Sequence, residues 1–120
     1  MAKNISATGT YEILVKRLDK EVTILLEGNF TEEQAGEFIS EYSKVVSRIK
    51  ADDYVLRIDC RDLKLVTPEL QPALEACYKL YQDSGFKSVV FEISKIAILK
   101  SQLSRIARKV GLQNAIFTEM

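Results

Sequence analysis

The hydrophobic pattern of this chain changes period repeatedly along its length, and that alternation limits the folds open to it. Residues 11–18 are rich in β-branched and aromatic side chains, and residues 22–26 follow beyond the polar turn candidate Asp19-Lys20-Glu21, which predicts a hairpin. The spacing then becomes three and four. Ala35, Phe38, Ile39, Tyr42, Val45, Val46 and Ile49 gather on one helical stripe that ends near Lys50. Thr31 stands three residues before Gln34, the spacing of a capping box, so the helix starts after Thr31.

Residues 54–60 form a short apolar run whose length suits a buried strand. Thr67-Pro68 then offers an N-cap hydroxyl and a proline at the first helical position, ahead of a stripe through Leu70, Leu74, Cys77 and Tyr81 that closes at Gly85. Pro72 would fall inside that helix, where it removes a backbone bond, so an irregular or late start is expected. Residues 88–93 read as a fourth strand. Ile96, Leu99, Leu103, Ile106 and Val110 mark a third helix ending at Gly111, and residues 114–118 supply a last strand. The order β-β-α-β-α-β-α-β predicts an α/β fold with a mixed, mainly parallel sheet covered by helices.

At 120 residues and 47% hydrophobic, the chain is sized for one core, so residues 1–120 are expected to form a single domain with 1–9 as a flexible lead. No apolar run approaches the roughly 20 residues that span a bilayer, and the opening lacks the apolar stretch of a signal peptide, so a cytoplasmic protein without a membrane span is expected. Cys60 and Cys77 fit reduced, buried thiols.

Basic and acidic residues balance at 17 each, but their distribution is uneven. Residues 93–118 hold Lys95, Lys100, Arg105, Arg108 and Lys109 with no acid, whereas residues 27–42 hold Glu27, Glu32, Glu33, Glu37 and Glu41 with no base. The basic residues lie opposite the third apolar stripe and no aromatic interleaves with them, which disfavours nucleic acid as a partner.

The absence of histidine removes the commonest general base and the usual zinc ligands, and the five glycines are too scattered for a phosphate-binding loop. No enzyme, cofactor or metal is expected. Asp59 and Asp62 could share a hard cation, but solvation or pairing with Arg61 is the commoner state for such carboxylates.

The segment from Leu56 through Asp59 to Leu70, with the close Val110-Gly111-Leu112 before Ala115-Ile116-Phe117, resembles the STAS family, the fold of bacterial anti-sigma factor antagonists. The resemblance covers about residues 11–117 and implies a STAS-like fold and a non-enzymatic regulatory role. In such antagonists a loop of Asp-Ser-Ser-Gly carries the serine phosphorylated by an anti-sigma kinase. Counting from Asp59 places Thr67 on the aspartate and Pro68 on the serine, so the usual phospho-switch is expected to be missing. A slip of one residue would put Thr67 on the acceptor position and Val66 on the aspartate.

Thr67 thus has two readings, as a helix cap or as a phosphoacceptor. Asp59 has two as well: it fixes the loop by accepting backbone hydrogen bonds, or it ends a strand on the solvent side. The resemblance implies that Thr67, Pro68, Glu69, Leu70 and Gln71 form a rim that docks another protein, an anti-sigma-like or other regulator. The alternative is self-association as an assembly subunit, the acidic first helix of one copy meeting the basic third helix of another.

Overall fold

The computed structural model describes residues 9–63, 68–94, 97–112 and 115–119. A hairpin opens the fold, with β1 at Thr10–Lys16 antiparallel to β2 at Glu21–Gly28. Helix α1, Glu32–Val46, leads through a short 3-10 turn at Ala51–Asp53 into β3, Val55–Leu63. Helix α2, Gln71–Ser84, connects to β4, Ser88–Ile93, and α3, Ala97–Val110, connects to β5, Ala115–Glu119. The strands lie in the order β1-β2-β3-β4-β5, and every pair after the hairpin is parallel. The protein is therefore α/β, with a five-stranded mixed sheet and three helices. No helix among the described residues is long and apolar enough to cross a membrane.

Each crossover moves to the next strand on the same side. With uniform right-handed connections, that progression puts all three helices on one face of the sheet. The core follows from this. Val22, Ile24 and Leu26 of β2, Leu56, Ile58 and Cys60 of β3, and Val89, Phe91 and Ile93 of β4 are buried in one cluster with Phe38 and Tyr42 of α1, Tyr78 and Tyr81 of α2, and Leu99 and Leu103 of α3. The alternate residues face the other way and are half-buried or exposed, apart from Val90 of β4, which is buried. The run at 54–60, expected to be a buried strand, is covered on one face only: Arg57 and Asp59 alternate with its buried residues. Helices clothe one side of the sheet, not both.

Rings in contact run across the core beneath the helices. Tyr11 meets Phe30 and Phe38, Phe38 meets Tyr42, and Tyr42 meets Tyr81 at 5.4 Å between centroids. Tyr78 continues the series to Phe91, which stacks on Phe117 at 4.7 Å. The chain of rings joins β1 at one edge of the sheet to β5 at the other, so packing is continuous between the two ends of the fold.

Local chemistry sets the element ends. Thr31 Oγ1 accepts from the Gln34 amide at 3.1 Å and Gln34 Oε1 accepts from the Thr31 amide at 3.2 Å, the reciprocal capping box expected from the sequence. Gln34 also holds the backbone of Gly9: its Oε1 accepts from Gly9 N at 3.1 Å and its Nε2 donates to Gly9 O at 2.7 Å. A Cβ on Gly9 would lie 2.4 Å from a Phe30 ring atom, so only glycine fits between them. Of the lead expected to be flexible, residues 1–8 lie outside the described residues, and Gly9 is buried.

Three boundaries differ from expectation. β1 ends at Lys16, and Leu18 lies in the hairpin turn, wholly exposed. Helix α1 stops at Val46, four residues before Lys50, where Ser47 Oγ donates to the Lys44 carbonyl and the next amides bond three residues back. Helix α2 does not begin with Pro68 as its first residue. Its cap position is Leu70, which leaves Pro72 in the first turn, where a missing N–H costs no helical bond. The cap expected of Thr67 is thus displaced, and Thr67 itself lies outside the described residues. The closing glycines match expectation: Gly85 and Gly111 have φ of 80° and 73°, and the Leu112 amide donates to the Ala107 carbonyl at 2.9 Å to seal α3.

Tyr78 is buried with its hydroxyl unpartnered among the described residues. Removing an unpaired buried hydroxyl while keeping the ring should stabilise the protein by about 1 kcal/mol. Tyr78→Phe is therefore expected to raise the urea midpoint without changing the slope of the transition, and a fall in midpoint would contradict the orphaned state.

Candidate functional site

The C-terminal ends of β2 and β3 and the first turns of α1 and α2 converge at one corner of the fold. Leu26 lies two residues before the end of β2, Leu63 ends β3, Phe30 precedes α1, and Leu70 caps α2. Together with Phe38, Leu74, Cys77 and Tyr81 they line a narrow apolar slot with a cavity volume of about 40 Å³. Its lining is almost wholly hydrocarbon, sulfur and ring, which suits an inserted apolar side chain better than a ligand needing fixed polar contacts.

The rim residues expected to dock a partner are placed unequally around this slot. Pro68 and Glu69 are exposed in the turn before α2, Leu70 is half-buried and forms part of the slot wall, and Gln71 begins the helix. Gln71 Nε2 donates to Glu75 Oε2 at 3.3 Å, and the same oxygen accepts from Lys109 Nζ at 2.9 Å. Gln71 is thus tied back onto its own helix and, through Glu75, to α3. The Lys109 ammonium beside Glu75 lowers that carboxyl below its ordinary pKa. Glu69 is exposed next to Leu70 of the slot wall, and Glu32 and Glu33 are exposed in the first turn of α1, which follows Phe30, whereas Glu27 accepts at Oε1 from Thr10 Oγ1 of β1 at 3.4 Å.

Asp59 lies on the open face of the sheet, within β3 and four residues before its end. Arg61 holds its carboxylate through Nε at 3.0 Å and Nη2 at 2.8 Å, and donates its own amide at 3.1 Å. This fork lowers the Asp59 carboxyl below its ordinary value. Of the two states weighed for the Asp59 and Asp62 carboxylates, pairing with Arg61 is present at Asp59. No group of three or more carboxylates and thiols is gathered around a possible metal position among the described residues. Any bond from Asp59 to residues 64–67 lies outside the described residues.

Sequence reasoning missed a second feature of that face. Arg57 donates to Glu21 at 2.7 Å and to Glu92 at 3.1 Å, linking β2, β3 and β4 across the sheet, and its guanidinium pKa is raised chiefly by the bond to Glu21. The period-two alternation of Arg57, Asp59 and Arg61 with Leu56, Ile58 and Cys60 carried the signal. The thiols behave as expected of buried sulfur. Cys60 is pushed far above its ordinary pKa by burial, and Cys77 is pushed up to about 12 for the same reason. No family model and no curated protein sequence matches this chain.

Both thiols should resist an aromatic disulfide reagent at pH 8 and titrate together on unfolding, and rapid labelling of either in the native protein would contradict their burial. The lowered Asp59 pKa also has a sign. Its contribution to stability is present above the ordinary carboxyl value of 3.8 and is lost as pH falls through the lower folded value. Asp59→Asn should therefore lower the thermal midpoint at pH 7 and converge with the wild type once pH falls below the lowered folded value.

Proposed function

We propose that the protein is a non-enzymatic interaction module of STAS-like fold, resembling an anti-sigma factor antagonist, that docks a protein partner at the corner formed by Pro68, Glu69, Leu70 and Gln71. The apolar slot opening beside that corner carries the reading. A partner would insert one apolar side chain against Leu70 and Leu74, and the exposed Glu69 next to Leu70 favours a cation flanking that anchor. Loops and helix starts positioned by a rigid sheet are where such contacts concentrate. The lack of histidine in the sequence supports the non-enzymatic role, and Pro68 in place of the expected serine supports regulation without the usual phospho-switch.

A second reading, an assembly subunit that associates with copies of itself, is favoured by the separation of charge. Glu33, Glu37 and Glu41 follow at four-residue spacing on α1, while Arg105, Arg108 and Lys109 lie on α3. The two helices occupy opposite margins of the helix layer, with α2 between them.

Affinity capture with tagged chain from the native cell tests the docking reading. Leu70→Asp and Glu69→Lys should each lower recovery of the specific partner by about tenfold while leaving the thermal midpoint within a few degrees of wild type. Undiminished recovery with Leu70→Asp would reject the corner as the binding surface.

A further inference from the structure

We propose that Ile5, carried on the segment that leads into Gly9, fills the apolar slot of its own molecule until a partner displaces it. The occupancy stands on the geometry of the slot, and its regulatory consequence rests on the docking reading above.

The chain enters the fold beside the slot. Thr10, the first residue of β1, pairs with Glu27, the neighbour of the slot residue Leu26, so β1 begins at the end of the sheet where β2 and β3 finish. Gly9 is fixed there by two bonds to the Gln34 side chain, at 3.1 and 2.7 Å. Phe30 links it to the opening: a Cβ on Gly9 would lie 2.4 Å from the Phe30 ring, and Phe30 also lines the slot. A backbone anchored at this point delivers residues 1–8 to the end of the molecule where the slot opens.

Reach, size and charge select Ile5. It is the only branched aliphatic residue among residues 1–8. Four extended residues span about 13 Å and neighbouring strands lie about 4.8 Å apart, so a side chain at position 5 reaches from β1 across the ends of β2 and β3. The cavity volume of about 40 Å³ gives room for roughly three waters, which suits the end of an aliphatic side chain and is too little for a ring. Lys3 is the one charged side chain of the segment, two positions before Ile5. Glu69, next to Leu70, and Glu32 and Glu33 in the first turn of α1 are exposed and have no ion-pair partner among the described residues, so a cation arriving with Ile5 meets acids.

Tethering decides the competition for the slot. A side chain held on a short segment acts at an effective concentration on the order of millimolar, so the slot is filled first by its own chain. A partner's anchor enters only by expelling Ile5, and its apparent affinity is reduced by the fraction of molecules in which the slot is open.

Methyl NMR of the full chain tests the occupancy without any partner, so its outcome is independent of the affinity capture. Nuclear Overhauser contacts are expected from the Ile5 δ1 methyl to the methyls of Leu70 and Leu74 and to the Phe30 ring, within one molecule. Alkylation gives a second readout, because Cys77 lines the slot and Cys60 does not. With iodoacetamide at pH 9, Ile5→Asp should label Cys77 about tenfold faster than wild type and leave Cys60 unchanged, the change that follows if Ile5 fills the slot roughly nine-tenths of the time. A Cys77 rate equal to that of wild type would overturn the proposal. So would slot contacts made by Met1, Leu65 or Val66 with none from Ile5, or Ile5 contacts that in a mixed-label sample arise only between two copies. Absence of Ile5 contacts in the wild type would overturn it whatever the variant does.

Discussion

The burial of one sheet face beneath all three helices is the constraint on which the remaining features depend. Because each parallel strand is added beside the last, every crossover helix returns to the same side, and the apolar rows of β2, β3 and β4 have one layer to pack against. The opposite face meets water. Arg57 and Asp59 are compatible with β3 because they project from that wet face, where ion pairs with Glu21, Glu92 and Arg61 satisfy them. The same charges on a sheet covered on both sides would require desolvation at considerable cost.

The single helix layer also determines where contacts with other molecules can form. At the C-terminal ends of β2 and β3, the first turns of α1 and α2 diverge around the apolar slot, and the turn carrying Pro68 and Glu69 projects beside it. At the sides, α1 with its glutamates and α3 with its arginines form the margins of the layer, with α2 between them.

Much of this organisation is legible in the residues. The stripe through Ala35, Phe38 and Tyr42, the capping box of Thr31 and Gln34, and the left-handed stops at Gly85 and Gly111 depend on neighbours within one helical turn, and each appears where local reasoning places it. The start of α2 was only partly legible. Pro68 and Pro72 are both acceptable in a first turn but not in the same helix, and the chain resolves the competition in favour of Pro72. The acidic and basic clusters were equally visible, but a linear charge pattern does not say which strand lies beneath it. The wet face of β3 was legible in the alternation of Arg57, Asp59 and Arg61 with Leu56, Ile58 and Cys60, but its ion pairs were not, because only the sheet brings Glu21 and Glu92 beside Arg57.

The sequence alone determined the kinds of elements, their order and most of their ends, because periodicity, caps and glycine stops act over a few residues. Tertiary structure decided which strands became edges, which face remained open and which side chains surround the slot beside Leu70. Those properties arise from contacts between segments tens of residues apart, such as the clamp of Gln34 on Gly9, the bridge of Arg57 to Glu21 and Glu92, and the stacking of Phe91 on Phe117. Their energies depend on proximity that only the folded chain creates.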